Sequence, residues 1–369
     1  MMTNKHLENE CLCIMYIIHM PKKHSRNNRK GTAHRRRKQK RSKNVSKRKR
    51  SKLEDYVSPS DTRMNCHPKV KEHRVDNDTC YTPDALSKIK AAFNQNHPKP
   101  EHIRVSNHRS VLRELRERLS HCTKEDCWLN QIQEPRVRRQ LDEMLFAPDK
   151  PREWKNDPTY WLSNFDIEDV LHQYEEAHPE FKLLGPSAID YDTKLEEEGG
   201  KCVWDDLCRL SLQRLLDRGK TKLGVVFNLD EHDQDGSHWV SMFVDLDEGV
   251  IFYYDSALHP VPHEVSRLKN EIIKQGKELD RPIRFRYIMN DHDHQKANSE
   301  CGMYAIFFII TCLTRKIDRR IMKMMRGGGD GSMDGGTIVM PFRKVVELFT
   351  KPGLNDTIMK AYRDVYYNK

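Results

Sequence analysis

Cys301 stands where a polar approach, "QKANSE" (Gln295 to Glu300), meets a dense apolar run ending at Leu313, and Gly302 follows it at once. A cysteine attacks a carbonyl as its thiolate, and a free thiol, with a pKa of about 8.5, is mostly the wrong species at neutral pH. A base must therefore take its proton. His238, in "DGSHWV", and Asp255, in "YYDS", can supply one. A carboxylate bonded to one imidazole nitrogen fixes the tautomer and leaves the other nitrogen for the thiol. Gln295 lies six residues before Cys301. Its side-chain amide and the Cys301 backbone N–H form a pair of donors for a tetrahedral oxyanion, worth about 3 kcal/mol per donor. Taken singly, each residue is ordinary: a cysteine before an apolar helix is most often a small packed hydrophobe. The order, the spacing and the matched local structure together carry the reading.

Those residues need elements to hold them. "HWVSMFVDL" (His238 to Leu246) and "VIFYYD" (Val250 to Asp255) read as strands joined through Asp247-Glu248-Gly249, a hairpin signal that sets the start of one strand beside the end of its partner. "KLGVVFNL" (Lys222 to Leu229) and "IRFRYI" (Ile283 to Ile288) are further strands, with a helical pattern between Pro262 and Lys277. The run from Cys301 to Leu313 is apolar nearly all round and predicts a buried central helix. Its first turn places the positive end of the macrodipole at the Cys301 sulfur, which favours the thiolate. Gly302 is expected to leave room for a substrate carbonyl. "WLSNFDIEDVL" predicts a helix entered through Ser163 or Asn164, with Phe165, Ile167, Val170 and Leu171 buried. Helices on a sheet of this kind give an α+β fold.

"GSHWVSMFVDLDEGVIFYYDS" followed by "QKANSECGMYAIFFI" resembles the adenain-type and SUMO-deconjugating cysteine proteases. The shared pattern is His-Trp, an Asp within Tyr-Asp-Ser, and a Gln six residues before Cys-Gly; the resemblance spans roughly Trp161 to Leu313. It implies a papain-like core with a mixed, mainly antiparallel central sheet. It also implies a His238, Asp255, Cys301 triad with Gln295 as oxyanion donor. By the same analogy Trp239 and Trp161 line a narrow substrate channel that admits small residues, hence cleavage after Gly-Gly. Neither a metal nor a cofactor is implied. The helical segment and the basic arm described next resemble the extensions on maturation proteases of nucleocytoplasmic large DNA viruses.

The formal charge of +10 is unevenly spread: seventeen Lys and Arg and no Asp or Glu lie between Lys22 and Lys52, so the remainder is acidic. Residues 1–55 are expected to be a disordered basic arm suited to non-specific contact with DNA phosphates or to nuclear import. Residues 56–150 carry amphipathic patterns: "TPDALSKIKAAF", capped by Thr82 with Pro83 at the first position, and "SVLRELRERL", capped by Ser110. They predict a small helical extension before a catalytic domain over 151–369. Ten scattered cysteines in a long chain without an evident secretory signal suggest reduced thiols. "HCTKEDCW" lacks a second ligand pair for zinc, so Cys122 and Cys127 are expected in the core. No apolar run is long enough to span a bilayer, which argues against a membrane partner, and Met20 offers an alternative start. "RGGGDGSMDGG" (Arg326 to Gly336) reads as a loop, as does the Gly199-Gly200 pair. The leading expectation is an endopeptidase cutting viral structural polyproteins at Gly-Gly-X sites, located in the virion and infected-cell cytoplasm. The alternatives are an isopeptidase of ubiquitin-like modifiers, placed in the nucleus if cellular, and an inactive protease fold that binds nucleic acid.

Overall fold

The sheet that carries the site is built from five strands: β1 (Phe181–Ala188), β4 (Lys222–Asn228), β5 (Trp239–Asp245), β6 (Val250–Tyr254) and β7 (Arg286–Met289), in the spatial order β1-β4-β5-β6-β7. The computed structural model describes residues 64–325 and 336–368; the basic arm and the glycines of 326–335 lie outside the described residues. The two central pairings, β4 with β5 and β5 with β6, are antiparallel, and the two outer ones are parallel. The sheet is therefore mixed. Two short ribbons, β2 (Lys194–Leu195) with β3 (Lys201–Cys202) and β8 (Lys316–Asp318) with β9 (Thr337–Val339), stand outside it.

Side chains alternate across β5 and β6 as pleating requires. Trp239, Phe243, Val250, Phe252 and Tyr254 face one core, while Val240, Met242, Val244, Ile251 and Tyr253 face the other. Among the described residues there are eleven α-helices: α1 (Pro83–Asn96), α2 (His108–Arg118), α3 (Pro135–Leu145), α4 (Asn164–Ala177), α5 (Asp205–Cys208), α6 (Leu212–Asp217), α7 (His263–Glu278), α8 (Cys301–Thr314), α9 (Arg319–Met325), α10 (Phe342–Thr350) and α11 (Asp356–Tyr366). The first face is covered by α8 with α4, α10 and α11, and the second by α6 and α7. Every residue from Cys301 to Leu313 is buried, as the unbroken apolar run requires. Ser163 caps α4 in a reciprocal pair with Asp166, and Phe165 is only half-buried while Ile167, Val170 and Leu171 are fully enclosed.

Residues 64–146 enclose a separate apolar core around Tyr81, Leu86, Ile89, Phe93, Leu115 and Trp128. Thr82 accepts from Ala85 N and Pro83 opens α1. α2 begins earlier than its leucine pattern suggests: Asn107 is the cap, accepting from Ser110 N, because its side chain satisfies the first-turn N–H groups before Ser110 is reached. The chain end ties this unit to the sheet. Asn65 Nδ2 donates to the carbonyls of Asp364 and Tyr367, and Asn368 exchanges hydrogen bonds with Asn65 and donates to Ala147 O.

The cysteines depart from the expectation of reduced thiols. Cys66–Cys80, Cys122–Cys127 and Cys202–Cys208 are paired, with Cα–Cα separations of 5.2, 5.6 and 6.3 Å, all within bridging range. Chain length carried that expectation, and it says nothing about which sulfurs the fold sets face to face. Cys122 and Cys127 are half-exposed rather than core residues, and although His121 lies beside them their sulfurs are joined to each other. Among the described residues, Cys301 and Cys312 are free, and no helix is long and apolar enough to cross a membrane.

Candidate active site

His238 immediately precedes β5 and Asp255 immediately follows β6, and the antiparallel register between these strands, Ser241 opposite Tyr254, brings the two side chains together. His238 Nε2 lies 2.6 Å from Asp255 Oδ1. A carboxylate only accepts, so Nε2 donates, and Nδ1 is the nitrogen left for Cys301. Burial opposes a charged imidazole here, but the hydrogen bonds to Asp255 and Cys301 outweigh it and push His238 up to about 10. Asp255 is also buried, which favours its neutral form. His238 and the backbone N–H groups of Ala257 and His259 nevertheless hold its carboxyl below the usual range. The second carboxylate oxygen is taken as well: His259 reaches it with its backbone N–H at 2.7 Å and Nδ1 at 3.0 Å.

Cys301 opens α8, a helix of fourteen residues, so its sulfur sits at the positive end of the peptide dipoles and its backbone N–H has no intrahelical acceptor. Cys312, on the same helix, is enclosed, and burial pushes its thiol well up. The two free thiols are equally enclosed and differ in position, Cys301 at the first residue of the helix and Cys312 in its last turn. Glu300, directly before Cys301, is fully buried and meets Arg363 through two hydrogen bonds, at 2.6 and 3.2 Å. Arg363 in turn lies over the Trp154 ring and donates to Pro158 O.

Gln295 is nearly buried and doubly held. Its Oε1 accepts from Ser256 Oγ at 2.7 Å, and its Nε2 donates to Ala297 O at 2.6 Å, leaving one amide hydrogen. The loop carrying it is braced by Asp356, which accepts from Lys296 N and Ala297 N, and by Tyr304, whose hydroxyl donates to His294 O.

Two expectations change. Trp239 does not present its ring to a channel: it is 1% exposed, packed in the core, with Nε1 donating to Leu162 O at 2.9 Å. Nor does Gly302 leave space for a substrate. A Cβ there would lie 3.0 Å from Leu162 Cβ and 3.4 Å from Ile167 Cδ1, so glycine lets α8 close against the 161–162 segment. A glycine's role is set by what packs over it, which the motif alone does not reveal. Trp239 and Gly302 together pin Leu162, and the half-buried Trp161 is held next to it. Leu162, Ser256 and His259 carried no signal of their own in the sequence, although Leu162 lies inside "WLSNFDIEDVL" and Ser256 inside "YYDS".

Residues 225–327 match the Ulp1 protease family, C-terminal catalytic domain. A viral relative from Acanthamoeba polyphaga mimivirus, named for a thiol protease, is 28% identical over 271 residues, covering 68% of this chain and 84% of that protein. The chain is a cysteine protease whose residues 225–327 are similar to the Ulp1 family. A cysteine protease of African swine fever virus is 26% identical over 154 residues, 40% of this chain and 56% of that protein. Among solved structures, a protease of African swine fever virus covers 84% of this chain and 97% of its own, at 17% identity and a TM-score of 0.49. The Ulp1 protease domain in complex with Smt3, the yeast ortholog of SUMO, covers 60% of this protease chain and 87% of its own, at 18% identity and a TM-score of 0.32.

Proposed function

We propose that this protease is an endopeptidase that cuts protein linkers after Gly-Gly through a Cys301, His238, Asp255 triad, processing structural polyproteins during virion maturation. The observation that carries the triad is the 2.6 Å bond from His238 to Asp255 at the mouth of the helix that Cys301 opens. His238 takes the Cys301 proton on Nδ1, and the thiolate attacks the scissile carbonyl. The oxyanion is held by the Cys301 backbone N–H and the remaining Gln295 amide hydrogen. His238 then gives its proton to the leaving amine, and water, deprotonated by His238, releases the acyl group from sulfur. Asp255 stays ionised throughout and supports the imidazolium.

The Gly-Gly preference rests on access. Cys301 is 2% exposed and His238 8% exposed, so a backbone without side chains reaches them most easily. Trp161, half-buried beside the pinned Leu162, is the residue placed to border that approach. In this reading the basic arm from Lys22 to Lys52 holds the enzyme on packaged DNA, and the virion and infected-cell cytoplasm are where it acts.

A second reading is removal of ubiquitin-like modifiers. It is favoured by relatives from African swine fever virus named SUMO-1 cysteine protease. The two separate by substrate size: a deconjugase draws binding energy from a folded modifier remote from the cut. Cleavage of a short Gly-Gly-X peptide should proceed with kcat/KM within about tenfold of a modifier-linked substrate, and replacing either glycine of the pair by valine should abolish it. A peptide left intact while a SUMO fusion is cut would establish the deconjugase instead.

A further inference from the structure

Ser256 holds the Gln295 segment at three points. Its carbonyl accepts from both His294 N and Gln295 N, each at 2.9 Å, and its hydroxyl reaches Gln295 Oε1 at 2.7 Å. On the far side of the amide, Ala297 O lies 2.6 Å from Nε2. A carbonyl only accepts, so the NH2 end must face Ala297, the oxygen must face Ser256, and the Ser256 hydroxyl must therefore donate. Ser256 itself is 1% exposed, and the residue before it is anchored by Asn290, whose Nδ2 donates to Asp255 O at 2.7 Å while its Oδ1 accepts from Asp255 N at 3.1 Å. One rigid dipeptide thus touches both halves of the site: Asp255 orients the imidazole and Ser256 orients the amide.

We infer that Ser256 is a positioning residue for the oxyanion donor, fixing the rotamer and the sense of the Gln295 amide so that one N–H is left free for the reacting carbonyl oxygen. This rests on the reading of Gln295 as an oxyanion donor. Without the hydroxyl, Oε1 loses its donor in a buried place, and the amide swings to find another. A donor displaced by a fraction of an ångström contributes little, because its value depends on meeting the oxyanion and not the ground-state carbonyl.

The test is a cycle of four proteins, wild type, Ser256→Ala, Gln295→Ala and the double variant, assayed for kcat and KM on a Gly-Gly-X peptide. A missing oxyanion donor typically lowers kcat by about 10² to 10³. Gln295→Ala is expected in that range, Ser256→Ala about tenfold down with KM nearly unchanged, and the double variant no slower than Gln295→Ala, since groups acting through one another do not add. Ser256→Thr, which keeps the hydroxyl, should recover most of the rate. Alkylation of Cys301 by iodoacetamide, which develops no oxyanion, should follow the same pH curve in Ser256→Ala as in wild type. Normal kcat in Ser256→Ala with Gln295→Ala impaired would overturn the role of Ser256 alone. So would losses that multiply, or an alkylation curve shifted by Ser256→Ala. Unchanged kcat in Gln295→Ala would instead sink the oxyanion reading, and the role of Ser256 with it.

Discussion

At the scale of single residues, Asp255 is the most constrained group in the site, because each oxygen has its own partners: His238 and Ala257 N on Oδ1, His259 on Oδ2. Asp255→Asn keeps the shape but offers an amide where a carboxylate supported an imidazolium. It should lower kcat by about 10² to 10⁴ with little change in KM, read by steady-state kinetics. His259→Ala removes one ring contact while the backbone N–H of residue 259 still binds Oδ2, so a loss under about tenfold is expected. The charges also bear on stability. His238 is raised in the folded state above its ordinary 6.5, so its contribution is complete below that pH and is lost as pH climbs toward about 10. Asp255 is lowered, so its contribution holds above the ordinary carboxylate range and fails as acid protonates it. Urea unfolding should therefore show the largest gap between wild type and His238→Ala near pH 5 to 6 and a smaller one at about pH 10. A gap independent of pH would contradict the pairing.

At the scale of elements, the hairpin and the cysteine helix were legible because their signals are local. Asp247-Glu248-Gly249 sets the β5–β6 register, Gly249 adopts φ +61°, and the unbroken apolar run from Met303 leaves α8 nowhere to be but the centre. β1 was not legible. Its "FKLLGPSA" carries Gly185-Pro186, a breaker signal, yet the strand continues past a bulge because Gly185 lets the backbone close on β4, where a Cβ would lie 2.5 Å from Val226 O. The strand pattern begins at Ile283, but β7 pairs with β6 only from Arg286. The disulfides and the contacts over Gly302 were invisible for one reason: both depend on how segments meet in the folded chain. Gly302→Ala tests the second case. The added methyl should destabilise by about 1–3 kcal/mol in thermal unfolding. An unshifted melting temperature would mean that the Trp161-Leu162 segment is not packed as described.

At the scale of the whole molecule, the C-terminal helix links three parts. α11 carries Arg363 to the buried Glu300 beside Cys301, Tyr362 and Tyr366 to the core, and Asp364 to Lys150. Removing one member of a buried ion pair leaves the other charge uncompensated. Arg363→Met is expected to cost about 3–5 kcal/mol, far more than the exposed pair Lys344–Glu347, which should be worth under about 1 kcal/mol. Denaturant titration of Arg363→Met beside Lys344→Met decides this, and equal losses would contradict it. The DNA retention proposed for the basic arm is tested at the same scale. Deleting Lys22 to Lys52 should weaken DNA retention and its salt dependence while leaving peptide cleavage intact. Equal loss of both would make the arm part of the catalytic unit.

The proposed role of His238 as the base that takes the Cys301 proton can be tested by alkylation without any substrate. Iodoacetamide labelling of Cys301 would be followed against pH in wild type and in His238→Ala, with the site located by mass spectrometry and the enclosed Cys312 as an internal control. Labelling of Cys301 should be fast well below about pH 8 in wild type and lose that speed in the variant. Slow labelling that rises only around pH 8 to 9 in both proteins, as for an ordinary thiol, would contradict it.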